Sequence, residues 1–120
     1  MRKEPLTEKV IGCAIEVHRI MGPGLLESAY QQCLAHELSI RDLPFQLGQR
    51  VPVEYKGVRL DCGYRIDLLV DDRLILELKS VEELGNVHKA QLLTYMRLAH
   101  VRTGLLMNFN VARLADGIQR

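Results

Sequence analysis

Residues 74–79, with the sequence LILELK, limit the possible fold more than any other part of the chain. The segment is almost continuously apolar, whereas a strand with one face in water alternates apolar and polar residues. A strand with this composition is covered on both faces. The segment therefore predicts a central strand in a sheet that is flanked by helices.

The spacing of apolar residues elsewhere in the chain predicts the remaining elements. Helical spacing predicts a first helix that is capped by Thr7 and ends near Met21, followed by helices at about 25–40 and 87–100. The Gly22-Pro23-Gly24 turn separates the first two helices. Alternating or continuous apolar residues predict strands at 49–55, 58–70, 73–79 and 103–109. The order α-α-β-β-β-α-β indicates an α/β fold with a mixed four-stranded central sheet.

The size and charge of the chain set broad limits on its function. A chain of 120 residues is expected to form a single domain, 1–120. No apolar run is long enough to span a membrane, and MRKEPLTEK at the start lacks the apolar stretch of a signal peptide, so we expect a cytoplasmic protein without a membrane partner. A net charge of +1 neither indicates nor excludes nucleic acid as a partner.

Polar residues interrupt two of the predicted strands. Asp67 lies between Ile66 and Leu68, and Glu77 and Lys79 lie two positions apart, on one face of their strand. A two-residue loop between these strands would place Asp67 and Glu77 on opposite faces. A three-residue loop or a bulge would place them directly opposite each other on one face.

Two carboxylates that face each other need a compensating charge. They repel, and their burial without a partner is costly. Mg²⁺ or Mn²⁺ between Asp67 and Glu77 would provide that charge, with Lys79 directed at the same place, where it could orient a metal-bound water. The alternative is a structural ion-pair cluster that also includes Arg65. The residues alone leave both interpretations open.

Further polar residues lie on helix faces that should pack against the sheet. His88, Gln91 and Tyr95 share one face of the third helix, and Glu27 shares a face of the second helix with Tyr30. Taken singly, Gln91, Tyr95 and His88 are typical of the edge of a core or the start of a helix. Glu27 is the unusual residue, because it places a carboxylate on an apolar face.

Together these residues resemble the PD-(D/E)XK nuclease superfamily, whose core has a restriction-endonuclease-like αβββαβ arrangement. Asp67 would be the aspartate of the motif, and Glu77-Leu78-Lys79 its E-x-K, with Ile66 in place of the proline. Glu27 matches the glutamate of the first core helix, so the helix before it is an extra N-terminal one. Gln91 to Tyr95 matches the Q-x-x-x-Y of RecB-like branches. More closely, the chain is similar to the bacterial GxxExxY proteins, through Gly24, Glu27 and Tyr30.

The resemblance implies a nuclease that depends on Mg²⁺ or Mn²⁺ and acts on nucleic acid, with DNA as the expected substrate. It implies catalytic roles for Glu27, Asp67, Glu77 and Lys79, and metal ligation by Asp67, Glu77, the Leu78 carbonyl and Glu27. It implies that four further residues contact the substrate or support the metal ligands: Tyr30, His88, Gln91 and Tyr95. The alternative is a catalytically weak or inactive module of the same fold that binds nucleic acid or a protein partner, or acts as a homodimer.

Overall fold

The computed structural model describes residues 4–120. The helices are α1 (Pro5–Met21), α2 (Glu27–Ile40) and α3 (Asn86–Ala99), with a short 3-10 helix at Leu114–Gly117. The strands are β1 (Phe45–Arg50), β2 (Val53–Tyr55), β3 (Val58–Leu60), β4 (Arg65–Val70), β5 (Leu74–Lys79), β6 (Thr103–Asn108) and β7 (Ile118–Gln119).

The main sheet is mixed and has the order β1-β4-β5-β6-β7. β1, β4 and β5 are antiparallel neighbours, whereas β5 and β6 are parallel and are connected through α3. The predicted fold class is confirmed, because this sheet with helices around it is consistent with the restriction-endonuclease-like fold. The short edge strand β7, antiparallel to β6, adds a fifth strand to the four that the sequence predicts.

Helices cover both faces of the sheet. α1 and α2 pack on the face that includes Leu68 and Leu76, and α3 packs on the face that includes Ile75 and Leu106. Every residue from Leu74 to Leu78 is buried, as the apolar sequence of this segment predicts. The only charged residue in this buried run is Glu77, which projects between apolar neighbours.

The prediction of one continuous strand at 49–55 and another at 58–70 is wrong, because each segment is divided into two strands. Their outer parts, β2 and β3, form a separate two-stranded ribbon. Pro52, which has no N–H to donate to a ladder, lies between β1 and β2. Gly63, with a φ of 78°, lies in the other broken segment, between β3 and β4. The pairing changes register across this break, since Arg50 pairs with Arg65 but Val53 pairs with Leu60.

The start of α1 also differs from the prediction. Glu4 is the N-cap residue and Pro5 occupies the first turn, where its missing N–H is tolerated. Thr7 lies inside the helix, and its hydroxyl donates a hydrogen bond to Glu4 Oε2 at 3.0 Å. None of the helices within residues 4–120 is long and apolar enough to cross a membrane.

Candidate active site

The loop between β4 and β5 decides which strand register the protein adopts. Val70 pairs with Leu74, and Leu68 pairs with Leu76, so the loop contains three residues. This is the register that sets Asp67 opposite Glu77. Regular pairing between β4 and β5 ends at Leu68 and Leu76, immediately before the two acidic residues.

The strands separate at Asp67, and carboxylates replace the missing ladder bonds. The N–H of Asp67 donates to Glu77 Oε1 at 3.2 Å, and the N–H of Leu78 donates to Asp67 Oδ2 at 2.8 Å. The pairing of β4 with β1 also omits Asp67, although it includes the residues on either side. Both carboxyl groups are thus fixed by backbone N–H groups that would otherwise lack a partner.

The two carboxyl groups lie in an environment that disfavours their negative charge. Glu77 is 2% exposed, and burial, followed by the negative charge of Asp67, raises its pKa to about 8. Burial also raises the pKa of Asp67, against the opposing effects of the Leu78 N–H and the Lys79 ammonium. Lys79 therefore lies close enough to stabilise both carboxylates. A bound cation would stabilise the ionised pair further.

Glu27 approaches the same end of β5 from α2, which packs on the face of the sheet opposite to α3. It is the first residue of α2, and its Oε2 accepts a hydrogen bond from the N–H of Ser80 at 3.3 Å. After burial, the negative charge of Glu27 also raises the pKa of Asp67, so the two carboxylates are near enough to repel each other. The Ser80 hydroxyl donates to the Leu25 carbonyl at 2.7 Å, so two bonds attach this end of β5 to the start of α2.

Tyr30 is fully buried and supports the turn before α2. Its ring stacks on Phe109 with a centroid distance of 4.4 Å. Its hydroxyl donates to the Gly22 carbonyl at 2.6 Å and accepts from the N–H of Leu25 at 3.1 Å. Gly24 in this turn has a φ of 101°, a conformation that favours glycine. Of the two roles expected for Tyr30, burial is compatible with support of the site and not with contact to a substrate.

Two of the three predicted polar residues of α3 are associated with the carboxylates. Gln91 Nε2 donates to the Tyr95 hydroxyl at 3.2 Å. Burial, then the negative charge of Glu77, raises the pKa of Tyr95, so this phenol lies near the acidic pair. His88 has a different place, because its Nδ1 accepts from the N–H of Gly85 at 2.9 Å and caps the start of α3. This bond gives His88 a structural role at the start of α3, and its role in the site stays a prediction.

Asn108, at the end of β6, is a supporting residue that the sequence reasoning missed. It is 2% exposed, its Oδ1 accepts from the N–H of Val81 at 3.1 Å, and its Nδ2 donates to the Val81 carbonyl at 2.9 Å. These bonds fix the chain that follows Lys79 and Ser80. A polar residue at the end of the apolar run TGLLMN was the available signal, because such a residue needs buried partners.

The donor set of the site fits a hard divalent cation. Asp67 and Glu77 provide carboxylate oxygens, the ligands that Mg²⁺ and Mn²⁺ prefer, and Mg²⁺ commonly uses one or two carboxylates while it retains several waters. Across residues 4–120, no three His, Cys, Asp or Glu side chains converge as a metal-binding group. Glu27, which is bound to Ser80, therefore does not form one three-carboxylate group with Asp67 and Glu77.

The fold and the site together define a nuclease-like α/β protein, with an acidic pair and a lysine where two antiparallel strands separate. A family model of the PD-(D/E)XK nuclease superfamily matches residues 4–120. The chain belongs to this superfamily. Comparisons with curated proteins and with solved structures give no match.

Proposed function

We propose that the protein is a Mg²⁺-dependent nuclease that hydrolyses phosphodiester bonds of nucleic acid, with DNA as the expected substrate. The observation that carries this proposal is the pair Asp67 and Glu77 at the separation of β4 and β5. Burial and mutual repulsion disfavour the negative charge of this pair, and Lys79 lies beside it. Membership of the nuclease superfamily supports the same conclusion.

Each residue of the site has a role that follows from its position. Asp67 and Glu77, with the Leu78 carbonyl, would hold the Mg²⁺ or Mn²⁺. When bound, the cation lowers the pKa of a water molecule and neutralises charge on the phosphodiester. The Lys79 ammonium stabilises negative charge that develops on the phosphate oxygens or orients the attacking water. The Gln91–Tyr95 pair borders the carboxylates and contacts the substrate backbone or supports the ligands.

We also propose that the chain belongs to the GxxExxY branch, because the residues of that motif form one physical unit. Tyr30 fixes the turn that contains Gly24, and this turn presents the Leu25 carbonyl to the Ser80 hydroxyl. Glu27 binds the N–H of Ser80. The motif thus holds the residue that follows Lys79, and Glu27 adds a negative charge near Asp67. Its contribution to metal binding would be electrostatic or through a water molecule.

A cleavage assay on a panel of substrates tests the proposed activity. Purified wild type is incubated with labelled single- and double-stranded DNA and RNA in Mg²⁺, Mn²⁺ or EDTA. Glu77→Ala is the test variant, and Glu83→Ala, which removes an exposed carboxylate, is the matched control. We expect cleavage by wild type and Glu83→Ala with metal, and none with EDTA or Glu77→Ala. Equal Mg²⁺-dependent cleavage by Glu77→Ala would contradict the proposal.

The alternative function is a nuclease-fold module without its own activity. The observation in its favour is that Asp67 and Glu77 have no third carboxylate, among the described residues, that joins them in a metal-binding group. Melting temperatures separate the two functions, because a ligand that binds only the native state stabilises it. Mn²⁺ should raise the melting temperature of the wild type but not that of the Asp67→Asn, Glu77→Gln double variant. A wild-type melting temperature that is insensitive to metal would favour the inactive module.

A further inference from the structure

The β2–β3 ribbon extends beyond the main sheet and forms one wall of a cleft. Within residues 4–120, its two strands pair with each other and with no other strand. Because Val53 pairs with Leu60 and Tyr55 pairs with Val58, these four side chains share one face of the ribbon. Glu54 and Arg59 lie across from each other in the two strands, and their side chains are on the opposite face of the ribbon. They line the cleft, whose other wall is the C-terminal end of α3.

This cleft, which we call the ribbon cleft, has a volume of about 410 Å³ and a basic lining. Arg50 and Arg59 contribute from the ribbon side, and Arg97 and His100 contribute from α3 and its C-cap. Among the described residues, the acidic side chain in its lining is that of Glu54. The cleft therefore concentrates positive charge in a chain whose net charge is only +1.

The arginines of the ribbon cleft are available to bind an anion. Within residues 4–120, no carboxylate forms an ion pair with Arg59 or Arg97. Arg50 pairs with Asp61 at 3.1 Å, but both side chains are more than half exposed, at 67% and 61%. An ion pair in that environment contributes little stability, so an incoming phosphate can compete for Arg50. Arginine is also well suited to phosphate, because its planar guanidinium offers two parallel donors.

The ribbon cleft borders β4, the strand that contains Asp67. Ile66 and Leu69, on either side of Asp67 in β4, form part of its lining. Tyr64 lies beside this cleft, because its carbonyl accepts from the N–H of the lining residue Val51 at 2.9 Å. Its ring meets that of Tyr95 edge to face, with a centroid distance of 6.1 Å. Tyr95 lies on the carboxylate side of this contact, and Tyr64 is 47% exposed. A chain bound at Asp67 could therefore continue past Tyr64 into the cleft.

We propose that the ribbon cleft binds the sugar–phosphate backbone of single-stranded nucleic acid and leads that strand to Asp67 and Glu77. This inference rests on the proposed function and narrows its substrate class. Arg59 and Arg97 contact phosphates from opposite walls, and the exposed Tyr64 ring offers a surface on which an unpaired base stacks.

The size and charge of the cleft favour a single strand over a duplex. A volume of about 410 Å³ is that of a pocket for a small molecule, and it corresponds to roughly one or two nucleotides of a single strand. Proteins that hold a duplex by its backbone also usually have a larger excess of positive charge than the net charge of +1 of this chain.

Fluorescence anisotropy in EDTA tests the proposal without any contribution from hydrolysis. The probes are labelled single-stranded DNA, single-stranded RNA of the same sequence, and the corresponding DNA duplex. The variants are Arg59→Ala and Arg97→Ala, and Arg73→Ala is the matched control, because Arg73 is an exposed arginine in the β4–β5 loop. Melting temperatures verify that each variant is folded, and Arg59→Lys tests whether charge alone restores binding.

We expect the wild type to bind single strands more tightly than the duplex. Each alanine variant in the cleft should weaken that binding by about tenfold, with Arg73→Ala unchanged. The dependence of log K on log salt concentration should become less steep by about 0.7 for each phosphate contact removed. The DNA and RNA probes show which type of single strand the cleft prefers.

Three results would overturn the inference: no binding of single strands, tighter binding of the duplex, or equal losses in Arg73→Ala and the cleft variants. These outcomes are distinguishable from a failure of the proposed function. Cleavage that is unaffected by Arg59→Ala and Arg97→Ala would reject the cleft and leave the nuclease in place. Binding in the cleft without cleavage in Mg²⁺ would reject the nuclease and leave the cleft in place.

Discussion

Glu77 is costly for the fold, and in the proposed function it is a metal ligand. It occupies a position in β5 that is otherwise apolar, and it is 2% exposed. Its carboxyl group accepts the N–H of Asp67, which has no partner in the ladder at that point. The residue type was evident from the sequence. Its partners were not, because they depend on the strand register.

The raised pKa of Glu77 predicts how pH affects the stability of the metal-free protein. Its pKa is 4.5 when unperturbed and about 8 in the native state. Between these values the native state holds a proton that the unfolded chain has lost, so the free energy of unfolding should decrease as pH rises from about 5 to about 8. Urea unfolding in EDTA measures this slope.

Glu77→Gln provides the test variant for this pH dependence, and Glu83→Gln, at an exposed position, provides the control. Most of the slope should disappear in Glu77→Gln and remain in Glu83→Gln. A slope that is the same in all three proteins would show that Glu77 is not the group responsible.

Tyr30 allows a second prediction for a single side chain. Tyr30→Phe retains the stacking on Phe109 but removes the hydroxyl that joins Gly22 and Leu25. We expect the free energy of unfolding to decrease by about 1–2 kcal/mol in urea denaturation. Tyr55→Phe, at a residue that is 60% exposed, should change it by less than about 0.5 kcal/mol. Equal stability of Tyr30→Phe and wild type would contradict the role assigned to this hydroxyl.

At the scale of the elements, the sequence predicted the type and order of the helices and strands. It predicted less well which residues pair between neighbouring strands. The apolar pattern of LILELK correctly indicated a strand that is buried on both faces, and the helical spacing located the three α-helices of residues 4–120. The register of β4 and β5 remained open, because it depends on how many residues the turn contains. Asp71 and Asp72 both adopt positive φ, at 53° and 55°, and the N–H of Arg73 closes the loop on the Val70 carbonyl at 3.0 Å.

The division of the predicted strands at 49–55 and 58–70 was missed for a related reason. Val51, Val53 and Tyr55 alternate as in one strand, and the effect of Pro52 on the ladder is local. The supporting bonds of Ser80 and Asn108 were also beyond the sequence, since they join residues from distant parts of the chain. The spacing of apolar residues identifies which face of a helix or strand is buried. It does not identify which backbone groups need a side-chain partner.

Close packing of elements around β6 predicts a difference between two glycine substitutions. A Cβ at Gly104 would lie 2.8 Å from Met96 Sδ and 2.9 Å from Leu92 Cδ1, which are the movable ends of side chains on α3. A Cβ at Gly117 would lie against the backbone carbonyl oxygen of Asn108, which cannot move without the strand. Gly104→Ala should destabilise the protein by about 1–3 kcal/mol, and Gly117→Ala by more.

Thermal or urea unfolding of the two glycine variants measures this difference. Gly117→Ala should also reduce any cleavage activity of the folded protein, because Asn108 holds the chain after Lys79. Equal stability of the two variants would mean that β6 and the 3-10 helix are less closely packed than the structure indicates.

On the scale of the whole molecule, each layer contributes to one site. The sheet provides Asp67, Glu77 and Lys79, α2 provides Glu27 at the end of β5, and α3 provides the Gln91–Tyr95 pair. The superfamily match extends over residues 4–120, which include the whole main sheet and every residue of the candidate site. The superfamily resemblance named most of the residues that the structure brings together here, and their catalytic and metal-binding roles stay predictions. The ribbon cleft was not, because its walls come from segments about 40 residues apart that pattern alone does not bring together.

The central claim is that Asp67 and Glu77 act as one metal-dependent catalytic unit, and a double-variant comparison tests it most directly. The initial rate of phosphodiester cleavage is measured over a range of Mg²⁺ concentrations for wild type, Asp67→Asn, Glu77→Gln and the double variant. The control carries Asp72→Asn and Glu83→Gln, both at exposed positions.

Groups that act as a unit have non-additive effects on rate. We expect each single variant to lose about a thousandfold or more in rate, the double variant to be no slower than the slower single variant, and the control to match wild type. Single variants that cleave at the wild-type rate in Mg²⁺ would contradict the account.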